Sequence, residues 1–180
     1  MHGLFQSAPL LSGFINLIQI RKLLKIRIDT EKQSLELLDD SRLVSRYPVS
    51  TAKNGVGERS GSYCTPRGRH LVRARIGAGL PENTVFVRRR PSGEIFTEEL
   101  GRQFPDRDWI LGRILWLSGC EPGLNRLGDV DTMRRYIYIH GTPHEEEIGS
   151  PVSHGCVRMR MHDLVELFEK VPVGTPVEIV

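Results

Sequence analysis

Hydrophobic and polar residues alternate along much of the chain from about residue 24 onward, which predicts β-strands. Ile26 and Ile28 alternate with the polar Arg27 and Asp29, and a period of two places successive side chains on opposite faces of a strand. Similar segments, separated by polar or glycine-rich breaks, lie at residues 35–37, 43–49, 70–76, 85–88, 110–117 and 177–180. The pattern therefore predicts a mainly β fold.

A segment near the C-terminus has a helical period instead. Its apolar residues recur three or four positions apart: Met161, Leu164, Val165, Leu167 and Phe168. Asp163 in the first turn and Lys170 in the last turn complement the helix dipole. Pro172 predicts the end of the helix, because proline cannot continue it. We therefore expect one helix in the C-terminal region.

The clearest alternation lies at residues 135–140 and predicts a strand. Tyr136, Tyr138 and His140 would lie on one face, with isoleucines on the other. His140 would then end a rigid strand just before Gly141. A different pattern occupies residues 50–69, which are rich in Gly and Ser. A long loop inside a compact domain is more often functional than not, although a surface insertion is the alternative.

The composition restricts the classes of protein that the chain can belong to. Its 180 residues suit one domain with a short appendage. A formal net charge of +3 is too small to argue for a nucleic-acid partner. Three cysteines do not make a disulfide framework, and no run of 18 apolar residues predicts a membrane span.

The N-terminal segment, residues 1–23, is mildly apolar but interrupted by polar residues. Its nearest basic residues, Arg21 and Lys22, follow the apolar stretch, whereas a secretory signal carries them before it. We therefore find no clear signal peptide. A noncanonical export signal, a weak anchor, an extra helix and a misassigned start remain open.

Reactive side chains concentrate between residues 140 and 158. Cys156 is a candidate nucleophile, and an imidazole could take its proton and later protonate a leaving amine. His140 is the better candidate for this base because it ends a rigid strand. His154 lies two residues from Cys156 and would share its face if the segment is extended.

The neighbours of Cys156 suggest further roles. Gly155 lacks a Cβ and would let backbone N–H groups form an oxyanion hole. Arg158 offers a planar guanidinium to a substrate carboxylate. The other cysteines, Cys64 and Cys120, are interpreted as small buried hydrophobic residues, and the sequence leaves a disulfide between them open. A zinc site built from His140, His144, His154 and Cys156 is an alternative with atypical ligand spacing.

Two linked motifs resemble a known family. Tyr138-Ile139-His140-Gly141-Thr142-Pro143, followed by Ser153-His154-Gly155-Cys156-Val157-Arg158-Met159, is similar to the signature of the L,D-transpeptidase catalytic domain, the YkuD family. Thr65-Pro66-Arg67-Gly68 and the tail from Val171 resemble other parts of that domain. Two departures are Ala52, where the family often has Gly, and Arg158, where one branch has Asn. The resemblance spans residues 24–180, with an apparent insert around 79–127.

The resemblance implies a β-sandwich-like fold with a helix at its side, and a cysteine acyltransferase that acts on peptidoglycan stem peptides. Cys156 would be the nucleophile and His140 the base. The backbone around His154, Gly155 and Cys156 would stabilise the oxyanion, and the region of Gly141 would orient the imidazole. Ser153 and Arg158 would contact substrate or support the loop.

The product would be a 3→3 cross-link, formed through a thioester without a metal or organic cofactor. The family implies a cell-envelope or periplasmic location, and we predict neither a nucleic-acid partner nor a stable protein partner. An L,D-carboxypeptidase, an enzyme that attaches or releases wall proteins and a non-catalytic wall-binding module are the alternatives. The insert around residues 79–127 would cap the site or shape substrate choice.

Overall fold

A computed structural model describes residues 23–180 of the chain. The expectations for the N-terminal segment, apart from Leu23, lie outside the described residues. Within these residues, ten β-strands, two α-helices and two short 3₁₀ helices make up the regular structure. In chain order they are β1 Leu24–Asp29, β2 Ser34–Asp39, β3 Arg42–Pro48, β4 Gly68–Ile76, β5 Thr84–Val87, β6 Arg90–Ile95, α1 Glu98–Gln103, β7 Leu111–Gly119, β8 Tyr138–Gly141, β9 Val157–Met159, α2 Met161–Lys170 and β10 Pro176–Ile179.

The strands form one mixed sheet that branches at β7. The main path runs β3-β2-β1-β10-β4-β7-β5-β6, while β8 pairs with β7 and then with β9. β1 pairs with β10 in parallel, as β8 does with β9. The mainly β prediction is confirmed. The described residues also contain one helix that the pattern did not predict, the six-residue α1, whose N-cap is Thr97.

The hydrophobic core joins the two halves of this sheet. It includes Ile26 and Ile28 of β1 together with Ile139 of β8 and Val157 of β9. The two halves therefore pack across one core, as a sandwich-like fold requires. The C-terminal helix α2 completes the core by burying one stripe, formed by Met161, Leu164, Leu167 and Phe168. Its bounds confirm the helix predicted from the apolar period.

Two features of the middle of the chain bear on the sequence predictions. β7 is buried at the centre of the sheet and pairs with β4, β5 and β8. Residues 111–119, which fall within the apparent insert around 79–127, therefore form a central strand of this structure. The strand predicted at 135–140 begins instead at Tyr138. A turn precedes it, in which the Asp131 carboxylate accepts from the Arg134 N–H and Tyr136 has a positive φ of 58°.

No helix within residues 23–180 combines the length and the apolar character that crossing a membrane requires.

Candidate active site

The pairing of β8 with β9 brings the two motifs together. Ile139 pairs with Val157 and His140 with Arg158 in a parallel register. Paired residues of neighbouring strands share a face, and faces alternate along each strand. Ile139 and Val157 belong to the core. His140 therefore lies on the opposite face, together with Arg158 and with Cys156, which immediately precedes β9.

His140 is buried and its imidazole has a defined orientation. His140 is 1% exposed, and its Nδ1 lies 2.9 Å from the carbonyl oxygen of Gly141. Because a carbonyl can only accept, Nδ1 carries the proton and Nε2 keeps its lone pair. Burial lowers the pKa of His140, so the ring is neutral at neutral pH.

Gly141 is also required sterically at this position. A Cβ there would lie 2.6 Å from Cε of Met161 and 2.9 Å from the Leu111 carbonyl oxygen. A larger residue would push β8 away from β7 and α2. The close packing thus keeps the carbonyl that holds the imidazole in place.

The Cys156 thiol lies in a half-buried position beside β8. The Tyr138 N–H donates to Sγ over 3.3 Å, and the thiol lies 3.5 Å from the Tyr136 carbonyl oxygen. Burial raises the pKa of Cys156 to about 12. The resting thiol is therefore protonated, and no hydrogen bond of the described residues joins it to His140.

Ser153 and Gly155 build the turn that precedes Cys156. The Ser153 hydroxyl donates to the Cys156 carbonyl over 2.6 Å and accepts from the Gly155 N–H over 3.2 Å. Gly155 has a φ of 127°, which favours glycine. The Gly155 N–H is thus engaged within the turn. Apart from the hydrogen bonds between paired strands, no backbone–backbone hydrogen bond of the described residues has the Cys156 N–H as its donor.

The Gly/Ser-rich loop supports this turn from the other side. The Thr65 hydroxyl donates to the Gly155 carbonyl over 3.0 Å and accepts from the Ala52 N–H. Arg135 is partly buried beneath the loop and donates to the carbonyl oxygens of Gly57, Glu58 and Cys64. The loop is therefore a fixed part of the site and not a loosely attached insertion.

His154 does not follow the extended arrangement considered from the sequence. The turn at Gly155 interrupts it, and His154 is exposed. Its Nδ1 lies 3.4 Å from Oδ2 of Asp108, and its ring meets Tyr63 edge-on at a centroid distance of 6.3 Å. The imidazole next to Cys156 in sequence thus points toward a surface carboxylate.

Arg158 is engaged by two carboxylates. Its Nη2 donates to Oδ1 of Asp108 over 2.8 Å, and Nη1 lies 3.6 Å from Oε2 of Glu147. The arginine side chain is 9% exposed, whereas the two carboxylates are nearly half exposed. The guanidinium is therefore neutralised within the fold. We call Arg158, Asp108, Glu147 and His154 the Arg158 network.

The other two cysteines differ from their interpretation as buried residues. Cys64 and Cys120 are partly exposed, and all three cysteines are free thiols. Within residues 23–180, no three His, Cys, Asp or Glu side chains converge as a metal site would require. The zinc alternative therefore has no geometric support in this part of the chain.

Sequence reasoning missed Asp108, Arg135 and Thr65 as parts of this site. Asp108 reaches Arg158 across 50 positions of chain, and no local pattern marks it. The alternation predicts a strand that includes Arg135, and Thr65 belongs to a motif that predicts no contact for its hydroxyl. Their roles depend on contacts between distant segments.

Comparisons with known proteins agree with the motifs. The sequence model of the YkuD family, described as the L,D-transpeptidase catalytic domain, matches residues 24–179. The putative L,D-transpeptidase YqjB of Bacillus subtilis is 54% identical over 152 residues, which cover 84% of this chain and 68% of YqjB. The putative L,D-transpeptidase YkuD of Bacillus licheniformis is 46% identical, with 86% of this chain and 64% of that protein covered.

A shorter match and the solved structures complete the comparison. The probable L,D-transpeptidase YbiS of Escherichia coli is 56% identical over 46 residues, 26% of this chain and 15% of YbiS. An L,D-transpeptidase from Mycobacterium smegmatis has a TM-score of 0.53 at 16% identity, with 88% of this chain and 59% of that chain covered. L,D-transpeptidase 3 from Mycobacterium tuberculosis has a TM-score of 0.55 at 15% identity, with 88% and 61% covered. At these identities the structural likeness concerns the fold alone.

Proposed function

Because the chain belongs to the L,D-transpeptidase family that the YkuD domain defines, we propose that it is a peptidoglycan L,D-transpeptidase with Cys156 as its nucleophile. Residues 24–180 would form the catalytic domain. The observation that carries the proposal is the placement of His140, in β8, and Cys156, directly before β9, on one face of the sheet. The Gly141 carbonyl holds the imidazole so that Nε2 is the basic nitrogen.

The first half of the reaction forms an acyl-enzyme. His140 Nε2 takes the Cys156 proton, and the sulfur attacks the carbonyl carbon of the third residue of a stem tetrapeptide. The tetrahedral intermediate then collapses to a thioester, the bond to D-Ala breaks, and the imidazolium protonates the leaving amine.

The second half transfers the acyl group. A side-chain amine of a second stem peptide loses a proton to His140, attacks the thioester and forms the 3→3 cross-link, while the thiol is regenerated. Water in place of the amine would give an L,D-carboxypeptidase. The proposal includes a cell-envelope location, because peptidoglycan is found there.

The oxyanion of the tetrahedral intermediate needs donors close to Cys156. We assign the Cys156 N–H to this role, because the Gly155 N–H already donates to the Ser153 hydroxyl. Gly155 would contribute by shaping the turn through its φ of 127°. Ser153 and Arg158 would support the loop and not contact substrate, since both are engaged within the fold.

The neutral resting state of the pair gives a defined order of events. The thiol has a raised pKa and the imidazole a lowered one, so proton transfer before substrate binding is unfavourable. We infer that the proton moves as the sulfur attacks, when charge develops on the substrate oxygen instead of remaining on sulfur.

Mass spectrometry of the protein incubated with a disaccharide-tetrapeptide tests the proposal. We expect a thioester adduct on Cys156 and a cross-linked dimer, both absent from Cys156→Ala. His140→Gln should lower the acylation rate at least about a hundredfold, since general-base assistance is lost. A folded Cys156→Ala variant that still forms product would contradict the assignment of the nucleophile.

A second probe tests the assignment of the nucleophile independently of the assignment of the substrate. One structural neighbour, LdtMt1, is described in complex with imipenem, so we would incubate the protein with imipenem and look for an adduct on Cys156. An imipenem adduct without any peptide product would support the nucleophile and contradict the peptide substrate. A tripeptide product without a dimer would identify a carboxypeptidase.

A further inference from the structure

The sheet face that carries Cys156 continues into an aromatic surface. Trp116 of β7 pairs with Tyr138 of β8, and its ring centroid lies 6.3 Å from that of Tyr138 and 6.4 Å from that of Tyr136. Cys156 and Trp116 both pack against the hydrophobic cluster that contains Tyr138. We call Trp116, Tyr136 and Tyr138 the aromatic shelf.

Arg89 lies over this shelf. Its guanidinium carbon is 4.6 Å from the ring centroid of Trp116 and 4.5 Å from that of Tyr136. Nη1 also donates to the Tyr138 hydroxyl over 2.9 Å. Both the aromatic faces and the hydroxyl hold the planar group in one orientation.

The charge of Arg89 is not neutralised by the surrounding residues. Among residues 23–180 it forms no salt bridge, and the Tyr138 hydroxyl is the acceptor for its side-chain N–H groups. A guanidinium has five N–H donors, so most of them can receive a ligand. Arg73 adds a second cation, with its guanidinium carbon 5.7 Å from the Trp116 centroid.

The backbone that carries Arg89 is unusual for arginine. Arg88 and Arg89 form the two-residue turn between β5 and β6, with φ values of 49° and 67°. Such turns favour Asn-Gly because both positions need a positive φ. The turn geometry therefore disfavours the two residues found there. An outlier of this kind points to a requirement for the side chain itself.

We propose that Arg89 binds a carboxylate of the donor stem peptide and thereby aligns the scissile bond with Cys156. The inference rests on the proposed function and adds a specificity-determining residue to it. The planar donor edge of a guanidinium matches a carboxylate. The Tyr138 hydroxyl accepts a hydrogen bond from Arg89, and the Tyr138 N–H donates one to Sγ of Cys156. A single residue therefore connects the bound carboxylate to the nucleophile.

Stem tetrapeptides carry carboxylates on their second, third and fourth residues, and one experiment distinguishes these sources. We would measure kcat and KM for acylation with the free-acid donor and with three donors that each carry one neutral amide. Replacing the bound carboxylate should lower kcat/KM of the wild-type protein about tenfold, as expected for a lost charge-assisted hydrogen bond. The other two amides should have little effect.

The variants identify Arg89 as the partner of that carboxylate. Arg89→Gln should lower kcat/KM for the free-acid donor about tenfold and lose the discrimination against the amide. Arg89→Lys should keep part of the discrimination because it keeps the charge. Arg88→Gln is the matched control, with the same charge change in the same turn, and should discriminate like the wild-type protein.

The outcomes separate this inference from the proposed function. Equal acylation of the wild-type protein by all four donors would overturn the inference and leave the proposed function in place. An equal loss for every donor in Arg89→Gln, with unchanged discrimination, would mean a structural role and also overturn it. If no donor acylates Cys156, the proposed function fails and the inference fails with it.

Discussion

The two ends of the sheet face around Cys156 use arginine in opposite ways. Toward the His140 end of β8, Arg158 is buried and paired with Asp108 and Glu147. Toward the Tyr136 end, Arg89 is held by aromatic faces and a hydroxyl without a salt bridge in the described chain. Carboxylates neutralise the charge that they position, whereas aromatic rings position a charge and leave it available. The same residue type therefore serves as support at one end and as a binding group at the other.

The largest expected effect is a difference in the free energy of unfolding between variants of Arg158 and of Arg89. Arg158→Gln should lower the free energy of unfolding by about 2 kcal/mol, because it removes the buried guanidinium that pairs with two half-exposed carboxylates. Arg89→Gln should lower it by less than about 1 kcal/mol, since it removes surface stacking. Urea unfolding monitored by tryptophan fluorescence measures both.

Removing one carboxylate gives a control for this contrast. Asp108→Asn combined with Arg158→Gln should recover part of the lost stability, since Asp108 no longer carries a charge that has lost its partner. Equal losses of unfolding free energy in Arg158→Gln and Arg89→Gln would contradict the contrast between the two arginines. Arg89 and the aromatic shelf would then have a structural role.

A smaller effect concerns the reactivity of Cys156. Burial raises the pKa of the thiol to about 12, and the Asp108 carboxylate adds to the increase. Asp108→Asn should therefore lower the pKa and speed alkylation of Cys156 by iodoacetamide at pH 8 about threefold. In the wild-type protein the rate should keep rising between pH 7 and 10, because the group titrates above that window.

Site-resolved mass spectrometry distinguishes Cys156 from Cys64 and Cys120 in this experiment. The Arg88 guanidinium is not among the charges that shift the pKa of Cys156, so Arg88→Gln should leave the alkylation rate unchanged. A rate for Cys156 that levels off near pH 7 would contradict a protonated resting thiol.

The smallest effect tests how the shelf positions Arg89. Tyr136→Leu should raise KM for the free-acid donor about threefold with little change in kcat, because one of the two aromatic faces beneath the guanidinium is lost. Tyr136→Phe keeps that face and should behave like the wild-type protein. A fall in kcat with unchanged KM would place Tyr136 in the chemical step instead.

Local sequence patterns predicted the strand and the helix near the reactive residues. They predicted fewer of the turns and contacts around those residues. The alternation that ends at His140 and the apolar period of α2 depend on neighbouring residues, and both elements are present. Tyr136 was placed on the strand wrongly, because the Asp131 turn uses the backbone that the strand would need. A period of two does not reveal where a turn side chain competes for backbone N–H groups.

Contacts between distant segments account for what the sequence did not reveal. Asp108 pairs with Arg158 only because the chain before β7 returns to β9. Residues 88–90 are three consecutive arginines, and only the turn between β5 and β6 places Arg89 over the shelf. Which of several identical side chains reaches a site is decided by the tertiary fold.

The environment of the Cys156 thiol affects how readily peroxides oxidise it. Peroxides attack the thiolate and not the thiol. Cys156 is held between the Tyr138 N–H and the Tyr136 carbonyl with its pKa raised to about 12, so almost none of it is thiolate at neutral pH. We expect the idle protein to resist conversion to sulfenic acid, and to become vulnerable only while a substrate is drawing the proton away. Cys156 would then stay reduced through long exposure to peroxide between turnovers.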